Sequence, residues 1–131
     1  MTRFIGVLAV LHTPTVDGRQ LANPHPDLTR PLPLPLVRPG EPGIGRIDSM
    51  WRDNNLIRYS GELDDDHPDA ANTIADIKAG RLVGMLDAFG GDHVVAGSLV
   101  LRQWRVAGAT LMPSEEKAWP EVSLTLDDGP Q

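Results

Sequence analysis

A chain of 131 residues and 14.2 kDa, with 40% apolar and 23% charged residues, is sized for one domain around a buried core. The absence of cysteine excludes disulfides, zinc–thiolate sites and a cysteine nucleophile. A net charge of −6 argues against a general nucleic-acid binder, which needs a basic face to meet phosphates. The charge is also uneven. Residues 1–60 carry seven arginines against five acids, and residues 61–131 carry five basic residues against thirteen acids. A solubilising acidic surface is the first reading of that asymmetry, and docking onto a basic partner the second. Twelve prolines and 13 glycines predict a loop-rich, β-rich fold.

Phe4–Leu11, the longest apolar run near the start, is eight residues, far short of the roughly 20 that a membrane-crossing helix needs. Arg3 precedes it as in a signal peptide, but His12, Thr13 and Pro14 follow in place of small cleavage-site residues. Its β-formers predict a strand covered on both faces, in a soluble protein without membrane contact. Thr13–Gly18 reads as a turn. From Asn23 to Pro42 there are seven prolines, at 24, 26, 31, 33, 35, 39 and 42. Their missing amide donors predict an extended surface arm with at most an edge strand. Pro31-Leu-Pro-Leu-Pro-Leu36 reads either as a polyproline ligand for an aromatic groove or, more plainly, as a stiff connector whose leucines pack on the sheet.

Ile44–Arg52 and Leu56–Leu63 flank Asp53-Asn54-Asn55, residues that tolerate the left-handed conformations of tight turns, and predict a hairpin. Asp66 as a cap, Pro68 in the first turn, Ile74 and Ile77 on one face, and Gly80 at the end predict a helix over 68–79. Strands follow at Leu82–Phe89 and His93–Val106 around the turn Gly90-Gly91-Asp92. An extended Gly108–Met112, a short turn from Ser114 to Ala118 and a closing strand Val122–Leu126 complete the chain. Together these predict an α+β, mainly β fold, a small closed or partly closed barrel of about six strands with one main helix, as a single domain over 1–131.

Spacing by itself picks out no catalytic centre. His12, His25, His67 and His93 are scattered. Asp64-Asp65-Asp66-His67-Pro68-Asp69 lacks the glycine and spaced ligands of a calcium loop; solvated acids at a helix N-terminus explain it more simply. No metal and no cofactor is expected. Gly40-Glu-Pro-Gly-Ile-Gly45 contains a proline and an acid and leads into no helix, unlike a phosphate-cradling loop. Of Ser49, Ser60, Ser98, Ser114 and Ser123, none lies in a Gly-x-Ser-x-Gly elbow. Ser98 and His93, five residues apart, fall on opposite faces of a strand.

Several segments nevertheless come in a telling order. They are Gly6-Val-Leu-Ala-Val10, an Asp17-Gly-Arg19 turn, Leu32-Pro-Leu-Pro-Leu36 and Gly45-Arg-Ile-Asp-Ser-Met-Trp-Arg-Asp53. Gly61-Glu-Leu63, Gly80-Arg-Leu-Val-Gly-Met-Leu-Asp87 and Ala107-Gly-Ala-Thr-Leu-Met-Pro-Ser114 follow. Over nearly its whole length the chain resembles the capsid maturation (prohead) proteases of tailed bacteriophages, particularly those infecting actinobacteria. The resemblance implies a herpesvirus-assemblin-like barrel. It fails at the chemistry. The family's histidine between the Leu-Pro-Leu segment and the Gly-Arg-Ile strand has no counterpart in Val37–Gly45. The family's Gly-x-Ser is Gly84-Met85-Leu86 here, and a leucine cannot attack a carbonyl.

The resemblance therefore implies a pseudoprotease, not an enzyme. It points to a phage capsid decoration (minor capsid) protein on the outer surface of the virion, binding and reinforcing the assembled major capsid protein shell. A homo-trimer at local threefold positions is the secondary expectation, and nucleic acid is not an expected partner. One alternative is an active maturation serine protease with relocated residues, Ser98 or Ser49 with His93 or His67. Another is an assembly scaffold or chaperone that leaves the mature shell. Candidate partner contacts are Pro31, Leu32, Leu34, Leu36 and Arg38, because a preformed extended arm loses little entropy on docking, and Trp119 near the end. Trp51 and Trp104 are expected in the core, and Arg102 and Arg105 on a solvated strand face.

Overall fold

Alternation of apolar and polar residues around a two-residue Asn54-Asn55 turn builds the central hairpin, β4 (Glu41–Asp53) and β5 (Leu56–Leu63). Asn54 takes a positive φ of 54°, the left-handed geometry that the turn requires and asparagine accepts. β1 (Thr2–Val10) runs antiparallel beside β5, with Phe4, Gly6 and Leu8 turned inward. Phe4 and Tyr59 meet edge to face at 5.6 Å in the middle of the core. The computed structural model describes residues 2–15, 18–24, 32–39, 41–95 and 99–127.

Seven strands form one sheet. Beyond β1, β4 and β5 it contains β3 (Leu34–Arg38), β6 (Leu82–Phe89), β9 (Arg105–Pro113) and β10 (Ser123–Leu126). Their order is β10-β1-β5-β4-β3-β9-β6, and every neighbouring pair is antiparallel except β3 with β9. The sheet curls into a half-barrel that does not close, since β10 and β6 are its two unjoined edges. Strand is the dominant element among the described residues. A second sheet, β2-β8-β7, is made from β2 (Gln20–Leu21), β8 (Leu99–Arg102) and β7 (Asp92–Val95). Strands therefore number ten among the described residues, more than the six or so read from the sequence. No described helix is long and apolar enough to cross a membrane.

The one α-helix among the described residues, α1 (Ala70–Lys78), packs on β10 and β6 and so covers the side on which the half-barrel is open. It buries Ala70, Thr73 and Ile77. Its start differs from expectation: Asp69, not Asp66, occupies the cap position and makes no side-chain capping bond. The backbone amide of Asp69 instead donates to His67 Nδ1 at 3.0 Å. Its end matches. Gly80, at φ 73°, lets the Arg81 amide turn back to the Asp76 carbonyl at 2.9 Å.

Three further expectations are corrected. The proline arm is not an edge. Its segment Leu34–Arg38 is strand β3, inside the sheet between β4 and β9. Proline is tolerated because the ladder to β9 begins only at Leu36 opposite Ala109, one residue after Pro35. Gly108 completes the fit, since a Cβ there would lie 2.6 Å from the Pro35 carbonyl oxygen and 3.0 Å from its ring. The strand expected over 93–106 is broken into β7, β8 and β9. Gln103 turns at a φ of 56°, sending β8 and β9 into different sheets. Finally, Trp51 is 38% exposed rather than in the core, whereas Trp104 is fully buried as expected.

Candidate functional site

Leu86, at the position where the resemblance expects a serine, is a half-buried residue of edge strand β6, opposite Ala109 of β9. It lines an apolar groove of about 490 Å³. One wall is β6, with Gly84, Met85, Leu86 and Ala88. Leu21 of β2 and Leu101 of β8 form a second, and the segment 116–122, with Ala118, Trp119 and Val122, a third. Leu8 and Met112 complete the apolar lining, and Thr15, Arg19, Gln20 and Glu116 are its polar members. Among the described residues, the lining holds no serine, histidine or cysteine.

The described serine and histidine side chains lie outside this lining. Ser49 and Ser60 face one another across β4 and β5, the first exposed and the second buried. The Ser114 hydroxyl donates to the Gly80 carbonyl at 2.6 Å, and Ser123 Oγ accepts the Val7 amide at 3.3 Å. His12 Nε2 lies 3.1 Å from Asn23 Oδ1. Ser98 and His25 fall outside the described residues, as does the side chain of His93.

The predicted partner contacts are dispersed. Leu34 and Leu36 are 3% and 0% exposed, which removes them from any contact surface and fits the plainer reading of leucines packed on the sheet. Leu32 is exposed, at 42%, and Pro31 lies outside the described residues. Arg38 is half-buried and turned onto α1. It donates to Thr73 Oγ1 at 2.9 Å and to Asp76 Oδ2 at 3.1 Å. Arg38→Met is expected to lower stability by about 1 kcal/mol, read as a lower urea midpoint with unchanged slope. Trp119, a candidate partner contact, is instead buried at 6%, with its indole N–H on the Thr13 carbonyl at 2.7 Å. An amphipathic ring in that position closes the groove and pins the chain after β1 at once.

Acidic side chains also have local duties. Asp48 and Glu62 bracket Arg3 at 3.1 Å each, and Glu62 also meets Arg46 at 3.0 Å. In the Asp64–Asp66 run, Asp64 Oδ1 accepts the Asp66 amide at 3.1 Å within a local turn, and Asp65 Oδ1 accepts the Thr2 hydroxyl at 2.8 Å. That hydroxyl holds the Asp65 carboxyl below the usual carboxylate range. No group of three or more metal-ligating side chains occurs among the described residues.

Beneath the groove, Gly84 has a second task that its place in Gly84-Met85-Leu86 does not announce. A Cβ there would strike the Tyr59 hydroxyl. That hydroxyl is fully buried and has no hydrogen-bond partner among the described residues. Burial pushes its pKa well above the tyrosine range; the neighbouring Gly84 amide lowers it in part without reaching bonding geometry. The folded chain therefore holds this proton more tightly than the unfolded one. The associated stability is full below about pH 10 and is lost as pH rises beyond it. Tyr59→Phe is expected to be neutral or stabilising by up to about 1 kcal/mol at pH 7, and to flatten the alkaline loss of stability in denaturation from pH 8 to 11. No protein family, curated protein or solved structure matches this chain.

Proposed function

We propose that this chain is a non-enzymatic capsid decoration protein of a tailed bacteriophage, built on a protease-like half-barrel and binding the assembled major capsid protein. The observation that carries the reading is Leu86. Where the resemblance expects a nucleophile the chain has a hydrocarbon side chain, on a groove whose described lining contains no serine and no histidine and has Thr15 as its hydroxyl residue. A fold kept without the chemistry is kept for its surfaces. Leu32 and Trp51, both exposed, supply apolar contacts of the kind that interfaces use. A protein that binds the assembled shell and not the free subunit stabilises the shell by its binding free energy.

The test is quantitative mass spectrometry of mature particles with and without this protein. Near-stoichiometric copies and an unchanged mass of the major capsid protein are expected, together with particles that assemble without it but break at lower temperature. Absence from mature particles, with an uncut capsid protein on deletion, would instead establish a working maturation protease. A second check acts on the chain itself. Leu86→Ser is expected to create no proteolysis of the capsid protein, because a serine without a base remains a poor nucleophile. Cleavage by that variant would show that a base is in reach.

A further inference from the structure

Backbone geometry and charge together single out the end of the molecule where β1, β2 and the turn between β4 and β5 meet. His12, just past β1, holds a positive φ of 60°, a conformation that few side chains accept. Its backbone amide donates to the Leu21 carbonyl at 2.7 Å, which fixes the root of the ring. Asn23, two residues past β2, is anchored as well, because its carbonyl accepts the Gln103 amide at 3.0 Å. Arg52, near the end of β4, donates from Nε to the Asn54 carbonyl at 2.8 Å.

From these anchors two donors converge on one atom. Arg52 Nη1 donates to Asn23 Oδ1 at 3.3 Å, and His12 Nε2 lies 3.1 Å from the same oxygen. A guanidinium only donates, so the carboxamide presents its oxygen there, and His12 Nε2 carries the proton that bonds to it. Both donors therefore aim at a point filled by a neutral oxygen of an exposed side chain, and His12 and Arg52 are exposed with it. Charge sets the point apart. Arg3, Arg38, Arg46, Arg58 and Arg81 each meet a carboxylate. Among the described residues no carboxylate lies against Arg52 or His12.

We propose that His12 and Arg52 form a binding site for a phosphoryl group, one of whose oxygens takes the place of Asn23 Oδ1. The exchange puts an ionised acceptor where a neutral one stood, and hydrogen bonds to ionised acceptors are about twice as strong. The displaced carboxamide swings into water while the Asn23 backbone stays on Gln103. Geometry selects a phosphoryl group over a carboxylate. The donors come from two side chains on separate elements, which oxygens that diverge tetrahedrally can meet together, whereas a planar carboxylate matches the single fork of one guanidinium. Because the site is open to solvent, a phosphomonoester fits as well as the free ion, with its ester oxygen turned outward.

The experiment is an NMR titration of the purified chain with inorganic phosphate at pH 7 and constant ionic strength, followed at the His12 ring protons and the Asn23 side-chain amide. Saturable shifts with a dissociation constant of about 1–10 mM are expected, the strength of two exposed charge-assisted contacts. Arg52→Gln should weaken binding about fivefold, and so should His12→Asn, in which asparagine tolerates the same backbone. Arg46→Gln, at another exposed arginine, should leave it unchanged. Asn23→Asp places a carboxylate at the proposed anion position and should abolish phosphate binding by occupying the site. Methyl phosphate is expected to match inorganic phosphate, which assigns the site to phosphoryl groups borne on larger molecules; binding of inorganic phosphate alone assigns it to the free ion. Shifts that stay linear up to about 50 mM, far beyond the expected constant, overturn the proposal. So does undiminished binding by Arg52→Gln or by Asn23→Asp. Acetate that binds as tightly as phosphate would make this a carboxylate site and overturn it equally. All of these measurements use the isolated chain, so failure here leaves the capsid reading standing, and failure of that reading leaves this one.

Discussion

Trp104→Ala is expected to remove about 3–5 kcal/mol of folding stability, the range for deleting a buried aromatic side chain. Trp104 is fully buried, directly after the Gln103 turn that separates the two sheets. Its indole N–H donates to the Ala22 carbonyl at 2.8 Å, across 82 residues of sequence. Beside it, the Ala22 amide meets the Leu101 carbonyl at 2.9 Å and the Gln103 amide meets the Asn23 carbonyl at 3.0 Å. Truncation thus leaves a cavity and an unpaired carbonyl at the place where the small sheet is attached to the large one. Domains of this size have total stabilities of only about 5–15 kcal/mol, so the variant should be marginal at 25 °C. Chemical denaturation followed by far-UV circular dichroism reads the effect. Trp104→Phe, which keeps most of the volume and loses the N–H, should fall between the variant and the wild type. A cost under about 1 kcal/mol for Trp104→Ala would mean that the core relaxes into the space.

Gly61→Val is the second large effect, expected at about 3 kcal/mol, the upper end for inserting atoms into a packed core. Gly61 lies in β5, flanked on both sides by β1 and β4. A Cβ there would run into the Arg46 carbonyl of β4, and would lie 2.8 Å from the Phe4 ring. Backbone in the middle of a sheet cannot retreat as the tip of a flexible side chain can. Gly80→Ala is the contrasting change. Its φ of 73° penalises a side chain, yet nothing lies within 4 Å of the new methyl. The expected cost is about 1 kcal/mol, purely conformational. If Gly61→Val cost no more than Gly80→Ala, the close approach of the strands would be disproved. Thermal melts of both variants against wild type decide the matter.

The two glycines also mark the limit of what was legible in the residues. Gly80 announced itself, because a helix end is a local event and its neighbours Ile74 and Ile77 display the helical period. Gly61 and Gly84 look like any other strand glycines. Their meaning comes from Arg46, Phe4 and Tyr59, which only pairing of distant strands brings near. The candidate site behaved the same way. Leu86 was visible as a departure from the pattern that the resemblance implies, but the groove around it joins positions 8, 21, 86, 101, 112 and 119, and no spacing along the chain relates them.

Sequence alone was enough for the mainly β character, the hairpin around Asn54-Asn55, the helix ended by Gly80, and the absence of thiol chemistry. Each of these rests on side-chain period, turn chemistry or composition, all carried by neighbours in the chain. The tertiary structure decided that Leu34 and Leu36 are core rather than contact surface, that Arg38 serves α1, and that Trp119 closes a groove while Trp51 faces solvent. It also decided that the sheet stays open. Proline's missing donor is a local fact, but its cost depends on whether a neighbouring strand offers an acceptor at that register, and β9 begins to pair one residue later. Burial of a tryptophan likewise depends on which strands curl over it. Those choices belong to long-range pairing, where a one-residue change of register reverses which side chains face the core.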